Sequence, residues 1–118
     1  MDEDLAAWGK VIILETVGRR SGVARRAAVG FVTESDGSLL VAATHPETQW
    51  ARNLLTSPDC VVEREGTRQS HHAEALDEGA RRSAVASLIL KYGTPAERLG
   101  AGPAFRLVPA HAHRDPPA

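Results

Sequence analysis

Apolar runs separated by turn residues divide the chain into predicted strands and helices. The β-branched run Val11-Ile12-Ile13-Leu14 predicts a buried strand that ends before Gly18. Ala27–Thr33 predicts a second strand, and Asp36-Gly37 is a hairpin signal before a third strand over Ser38–Ala43. These three strands are expected to form a meander.

The apolar positions that follow have helical spacing. Thr44 and Glu47 have the spacing of a capping box, and Pro58 would end the segment. A helix is therefore predicted from about Pro46 to Ser57. Its apolar face has four members, which are Trp50, Ala51, Leu54 and Leu55.

The C-terminal half predicts two further strands, a second helix and a last strand. The two strands cover Cys60–Glu63 and Arg68–Ala75. The helix has Asp77 as its N-cap and ends at Gly93, and one of its faces carries Ala84, Val85, Leu88 and Tyr92. Phe105–Val108 predicts the final short strand.

This order of elements predicts a mainly β fold with two helices. About six mostly antiparallel strands must curl to hide their edges, so a small barrel is expected instead of a flat sheet. The 118 residues, 42% of them hydrophobic, suffice for one domain. We expect this domain to cover residues 10–109, between an N-terminal lead, residues 1–9, and a disordered tail rich in Pro, Ala and His, residues 110–118.

Positive charge is concentrated in the loop between the first two strands. Residues 18–26 contain four arginines, two glycines and no acid. Glycine lets backbone N–H groups approach a ligand, and guanidinium groups bind phosphate or carboxylate oxygens in pairs. The candidate anion site consists of Arg19, Arg20, Ser21, Gly22 and Arg25. The alternative interpretation is a solvated turn, and we expect Arg26 to be a solvated charge on the opposite side of the strand.

Composition narrows the classes of ligand. The net charge is −1 and only 4% of residues are aromatic, which favours a small anionic ligand over nucleic acid. Cys60 is the only cysteine, so it cannot form an internal disulfide, and we expect a small buried hydrophobe. Neither a signal peptide nor an apolar run of membrane-spanning length is present, and a cytoplasmic location is expected.

No pattern in the sequence indicates a metal site. His71 and His72 are adjacent in a predicted strand and would face opposite ways, and His111 and His113 lie in the predicted tail. The sequence also lacks a serine elbow, a Walker loop and paired cysteines. Hydrolytic and metal-dependent chemistry are therefore not expected.

Four motifs together resemble the deazaflavin-dependent nitroreductase family. Its members are small proteins that bind coenzyme F420 in an FMN-binding split-barrel-like fold, which implies a six-stranded antiparallel split β-barrel here. The resemblance spans about Leu14 to Pro109. It rests on Leu14-Glu15-Thr16-Val17-Gly18-Arg19-Arg20-Ser21-Gly22, Arg25, Leu40-Val41-Ala42-Ala43-Thr44, and Trp50-Ala51-Arg52-Asn53-Leu54 with Ser57-Pro58.

The resemblance implies two sets of cofactor contacts. The loop residues Arg19, Arg20, Ser21 and Gly22, with Arg25, would hold the phosphate and acidic tail of the coenzyme. Contacts to the deazaflavin ring would come from Ala42, Ala43, Thr44, Trp50 and Asn53, with His45 in place of a basic residue that many members have. For Trp50 a core position, and for Asn53 a structural hydrogen bond, remain alternatives.

The implied activity is hydride transfer from reduced F420 to an activated double bond. The acceptor would be an enone, quinone, imine-like bond or dehydroamino acid, in a small molecule or a modified peptide. Thr44 and Tyr92 are the implied catalytic residues, and FMN is the less favoured cofactor. The alternative is a non-catalytic barrel that holds F420, FMN, haem or a lipid, because tyrosines that some members have are missing. A homodimer is a further expectation from the superfamily.

Overall fold

The computed structural model describes residues 11–92 and 102–110. Their elements, in chain order, are β1 (Ile12–Val17), β2 (Ala24–Val29), β3 (Val32–Thr33), β4 (Leu39–Ala42), α1 (Gln49–Thr56), β5 (Asp59–Arg64), β6 (Thr67–Ala75), α2 (Glu78–Tyr92) and β7 (Ala104–Pro109). The predicted mainly β class and the two helices are confirmed.

The strands form one antiparallel sheet in the order β2-β1-β5-β6-β7-β4-β3. Its two edge strands, β2 and β3, are consecutive in the chain and are separated only by Gly30 and Phe31. Three residue steps span at most about 11 Å, so the two edges of the sheet must lie close together. The sheet is therefore curled, as the predicted barrel requires.

The predicted count of six strands was wrong by one. The predicted second strand starts earlier, at Ala24, and is interrupted at Gly30 and Phe31, so that Val32–Thr33 becomes a separate strand. We call Gly30 and Phe31, where the two edges of the sheet meet, the seam. Here the N–H of Phe31 donates to the hydroxyl of Tyr92 at 2.9 Å instead of to a neighbouring strand. The interruption therefore depends on a residue of α2, far away in the sequence.

Alternate residues of the strands fill the interior of the curled sheet. The largest fully buried apolar side chains of this core, among the described residues, are Phe31, Phe105, Ile12, Leu14, Leu107 and Val41. All four residues of β4 are buried, because α2 covers its outer face with a second cluster that includes Val85 and Leu88. Cys60 belongs to the main core, and burial raises the pKa of its thiol to about 12. The prediction of a small buried hydrophobe is confirmed.

Helix α1 starts later than predicted, at Gln49. The predicted capping box of Thr44 and Glu47 does not form, and the N-cap is Thr48, without a side-chain cap hydrogen bond. His45 explains the difference, because its Nδ1 accepts from Glu47 N at 3.0 Å and its carbonyl accepts from Thr48 N at 3.1 Å. These bonds hold the segment as a turn before the helix.

The apolar face predicted for α1 also needs one correction. Ala51 and Leu54 are buried, whereas Leu55 is 60% exposed. For α2 the predicted N-cap is confirmed, since Asp77 Oδ1 accepts from Ala80 N at 2.8 Å. Gly93, the predicted end of that helix, lies outside the described residues.

The predicted lead, residues 1–9, and most of the predicted tail also lie outside the described residues. The domain boundaries therefore stay predictions. Neither α1 nor α2 has the length and apolar character needed to span a bilayer.

Gly102 allows the segment that follows β4 to pack closely against the backbone before β7. A Cβ added to Gly102 would lie 2.3 Å from the carbonyl oxygen of Ala43 and 2.9 Å from the backbone nitrogen of His45. Ala43 N also donates to Pro103 O at 2.9 Å. The segment from Ala43 to His45 therefore packs directly on the backbone that precedes β7.

We expect Gly102→Ala to lower the free energy of unfolding by about 1–3 kcal/mol, because rigid backbone must move to admit the methyl group. Urea denaturation measures this. Gly79→Ala is the matched control, since a Cβ at this position in α2 meets only Asp77 Oδ1, at 3.7 Å, and stability should be unchanged or rise by up to about 1 kcal/mol. Equal stability of the two variants would contradict the packing argument.

Candidate functional site

A cleft of about 410 Å³ lies between the loop that follows β1 and one face of α1. Eight residues line it, and four of them are arginines. They are Gly18, Arg19, Arg20, Ser21, Arg25, Gln49, Arg52 and Asn53. The predicted anion loop therefore forms one wall of a cavity, which we call the arginine cleft.

Backbone hydrogen bonds close the loop tightly. Gly22 N donates to Gly18 O at 2.8 Å, and Gly18 N donates to Val23 O at 2.9 Å. Gly22 has a φ of 72°, a conformation that glycine adopts without steric penalty. The hydroxyl oxygen of Ser21 accepts from Val23 N at 3.2 Å, which leaves its proton free to donate.

Asn53 ties the loop to the helix and to β1. Its Oδ1 accepts from Arg19 Nη1 at 2.9 Å and from Arg19 N at 3.3 Å, and its Nδ2 donates to Thr16 Oγ1 at 3.0 Å. Asn53 and Thr16 are 2% and 1% exposed. The amide thus satisfies buried partners of the protein itself, which favours the structural hydrogen bond over a ligand contact.

The register of β1 and β2 places Arg25 and Arg26 on opposite faces of the sheet. Arg25 is paired with Thr16, on the side of the cleft, and Arg26 is paired with Glu15. The guanidinium of Arg26 lies 3.1 Å from Glu63. The prediction that Arg26 faces away from Arg25 is confirmed.

The charge of the arginine cleft is poorly compensated. Arg19 is held at 2.9 Å by the neutral amides of Gln49 and Asn53. Arg20 and Arg25 form no ion pair within residues 11–92 and 102–110. Arg52 has one acidic partner, Glu47, at 2.8 Å.

Elsewhere in the described chain, every arginine except Arg64 forms an ion pair with an acid. Ion pairs of 2.6–3.1 Å join Arg26 to Glu63, Arg68 to Glu15, Arg81 to Glu78 and Arg106 to Glu34. No acid of residues 11–92 or 102–110 lines the arginine cleft itself. The guanidinium groups of the arginine cleft can donate hydrogen bonds to phosphate or carboxylate oxygens, and four arginines can bind several such anionic groups at once.

The remaining predicted ring contacts do not line the arginine cleft. Ala42 and Ala43 are buried, whereas Thr44 and His45 are exposed on the segment between β4 and α1. Trp50 is half-buried and packs on the core, with its ring centroid 6.0 Å from that of Phe105 at an angle of 57°. The structure therefore gives Trp50 a packing role.

Tyr92 lies at the seam of the sheet. Its hydroxyl accepts from Phe31 N at 2.9 Å and donates to Phe31 O at 3.2 Å. A Cβ on Gly30 would lie 3.2 Å from the Tyr92 ring, so glycine leaves space for it. Burial raises the pKa of Tyr92, which keeps the phenol protonated. Tyr92 is absent from the lining of the arginine cleft.

Sequence reasoning missed Gln49 and Arg52 as members of the cleft. Both share a face of α1 with Asn53, because residues three and four positions apart are neighbours on a helix. The signal was present in the spacing of Gln49, Arg52 and Asn53. It was overlooked because the sequence alone does not show that this polar face of α1 lies beside the loop that follows β1.

The histidines of β6 lie apart, as predicted. His71 is buried, while His72 is half-buried with Nδ1 3.1 Å from Asp59 Oδ1. In the part of the chain that the structure describes, no group of three His, Cys, Asp or Glu side chains could hold a metal ion. His111 and His113 lie outside that part.

A curled antiparallel sheet with two helices defines the chain as a small split-barrel-like protein, and its cleft is lined by arginines. Residues 4–94 match the model of the F420H(2)-dependent quinone reductase family. The chain belongs to that family. Comparison with curated proteins gave no match.

Solved structures show the same fold at low sequence identity. An F420-H2 dependent reductase, FDR-A, is 20% identical with a TM-score of 0.70, over 83% of this chain and 93% of that one. The heme storage protein HutZ from Vibrio cholerae is 20% identical with a TM-score of 0.69, over 91% and 86%. A structure described as a domain-swapped dimer is 19% identical with a TM-score of 0.69, over 89% and 92%. Proteins of different function therefore share this fold.

We expect Asn53→Ala to lower the free energy of unfolding by about 2–3 kcal/mol, because it leaves the buried hydroxyl of Thr16 and the backbone N–H of Arg19 without their partner. Urea denaturation measures the loss. In the control variant Gln49→Ala, Arg19 loses only an exposed hydrogen bond, and the change should stay below about 1 kcal/mol. Similar losses in both variants would show that Asn53 has no special structural role.

Proposed function

We propose that this protein is a reductase that transfers a hydride from reduced coenzyme F420 to an activated double bond. The observation that carries the proposal is the arginine cleft, in which no acid among the described residues neutralises Arg19, Arg20 or Arg25. Membership in an F420H(2)-dependent family supports the same cofactor. The acceptor would be a quinone, an enone, an imine-like bond or a dehydroamino acid.

The cleft suits the phosphate and the acidic tail of F420. Arg20 and Arg25 would bind its anionic oxygens, the Ser21 hydroxyl would donate a further hydrogen bond, and Gly22 keeps the loop open to the ligand. Asn53 and Gln49 hold Arg19 in place before any ligand arrives. A preset guanidinium loses little conformational entropy on binding.

The ring would lie toward the segment that leaves β4. Because Ala42 and Ala43 are buried and Ala43 N already donates to Pro103, their contacts would come from main-chain carbonyls. His45 uses Nδ1 within its turn, which leaves Nε2 for a ligand. The exposed part of Trp50 would border the ring.

When bound, the reduced deazaflavin supplies the hydride, so the protein needs to orient the acceptor and stabilise negative charge that develops on it. Thr44 is the favoured donor for that charge, because it is exposed on the segment held by Gly102. Tyr92 is the second candidate. Its hydroxyl would have to leave two hydrogen bonds to Phe31 to reach a substrate.

A non-catalytic carrier is the competing proposal. The heme storage protein HutZ shares the fold, and an arginine cleft would also suit the carboxylates of haem or the phosphate of FMN. Under either proposal the protein would act as a homodimer. One structural neighbour is described as a domain-swapped dimer, and light scattering would test whether this protein also forms a dimer.

Oxidised F420 should bind to the arginine cleft. Fluorescence titration is expected to show that the triple alanine variant of Arg19, Arg20 and Arg25 weakens binding at least tenfold, about 1.4 kcal/mol. Arg25→Ala and Arg26→Ala form a matched pair on opposite faces of β2, and only Arg25→Ala should weaken binding. Parallel titrations with FMN and haem show whether the protein instead binds one of these cofactors. Unchanged F420 affinity in the triple variant would refute the site.

Reduced F420 should be oxidised faster when protein and a suitable acceptor are both present. Stopped-flow measurements with quinones, enones, dehydroamino acids and a dehydroamino acid-containing peptide test this. Thr44→Val should slow the step about 10²-fold or more if its hydroxyl stabilises the developing charge, while Thr56→Val on the exposed side of α1 is the control. No acceleration with any acceptor would favour the carrier.

A further inference from the structure

One arginine of the cleft is already occupied by an acid. Arg52 Nη1 lies 2.8 Å from Glu47 Oε2, and this is the sole ion pair that an arginine lining the cleft makes within the described residues. Glu47 itself does not line the cleft. Its carboxylate therefore reaches Arg52 from outside the cavity.

The turn before α1 presets this contact. The backbone of Glu47 is held by its N–H bond to His45 Nδ1, and Thr48 O accepts from Arg52 N at 3.1 Å. Glu47 and Arg52 are five residues apart, with the acid in the turn and the base in the helix. The pair therefore differs from an ordinary pair within one helix, because its geometry depends on the turn.

The pair is weak enough to exchange partners. The side chains of Arg52 and Glu47 are 40% and 69% exposed. An ion pair in such a position contributes about 0–1 kcal/mol, because water screens it and both side chains lose freedom. A carboxylate or phosphate of a ligand could replace Glu47 on Arg52 at little energetic cost.

We propose that Glu47 is an intramolecular competitor, which occupies Arg52 until an anionic group of the ligand displaces it. Arg52 then becomes a binding residue on the α1 side of the cleft, which Arg20 of the loop and Arg25 of β2 also line. This inference rests on the proposed function, since it assigns the same anionic ligand a second point of attachment. The displaced carboxylate turns to solvent.

The competitor is tested with Glu47→Gln, which keeps the shape of the side chain and removes its charge. The control Glu65→Gln removes the same charge in the exposed turn between β5 and β6, away from the arginine cleft. Oxidised F420 and inorganic pyrophosphate are titrated separately. Glu47→Gln should tighten binding about three- to fivefold, and Glu65→Gln should leave it unchanged.

A double-mutant cycle isolates the contact. Arg52→Gln should weaken binding about threefold or more, and adding Glu47→Gln to Arg52→Gln should give little further gain, because the competitor has lost its partner. If Glu47→Gln and Glu65→Gln have equal affinities, the competitor role is overturned, even where the triple arginine variant still loses F420.

The two proposals fail in different ways. If the wild-type protein does not bind F420, the proposed function fails, and pyrophosphate alone decides the role of Glu47. Tighter pyrophosphate binding by Glu47→Gln than by Glu65→Gln would then support the competitor. Lack of pyrophosphate binding by both the wild type and Glu47→Gln would overturn it.

Discussion

The buried amide of Asn53 is the constraint on which the arginine cleft depends. One side chain satisfies Thr16 of β1 and both the backbone and the guanidinium of Arg19. A buried amide left without partners is costly, so this arrangement fixes the distance between α1 and the loop. The helix and the sheet are joined by a polar contact at the cleft, while Trp50 and Leu54 join them by apolar packing on the adjoining part of the same buried face of α1. The positions of Arg19 and Arg52 in the cleft follow from this arrangement.

The distribution of acids gives the cleft its character. The outer face of the sheet pairs Arg26 and Arg68 with Glu63 and Glu15, so their charges are largely neutralised where they stand. In the cleft, neutral amides take the place of carboxylates around Arg19. Amides orient a guanidinium without neutralising it, so its charge remains available to a ligand. A chain of net charge −1 thereby keeps one strongly positive cavity.

Local signals in the sequence predicted the local structure well. The hairpin at Asp36-Gly37, the cap at Asp77 and the opposite orientation of Arg25 and Arg26 all depend on neighbouring residues, and all are found. The errors involve partners that local patterns do not contain. The strand break at Phe31 requires Tyr92, and the late start of α1 follows from a His45 ring nitrogen that takes the N–H of Glu47. The arginine loop was predicted because its composition is unusual. Arg52 was missed because its place in the cleft depends on the packing of α1 beside the loop that follows β1, which local patterns do not contain.

The seam at Gly30 and Phe31 has a consequence for the order of folding. The carbonyl oxygen of Phe31 accepts hydrogen bonds from Lys91 and Tyr92, which lie 60 and 61 positions further along the chain. Three of the six strand pairs, β1–β2, β3–β4 and β5–β6, join strands that are neighbours in the chain. The other three join distant strands, and the hydrogen bonds at the seam form only after the end of α2 has been added. Closing so long a loop is entropically unfavourable and slows folding. During synthesis on the ribosome, the hydrogen bonds of Lys91 and Tyr92 to Phe31 can therefore form only when nearly the whole domain has emerged.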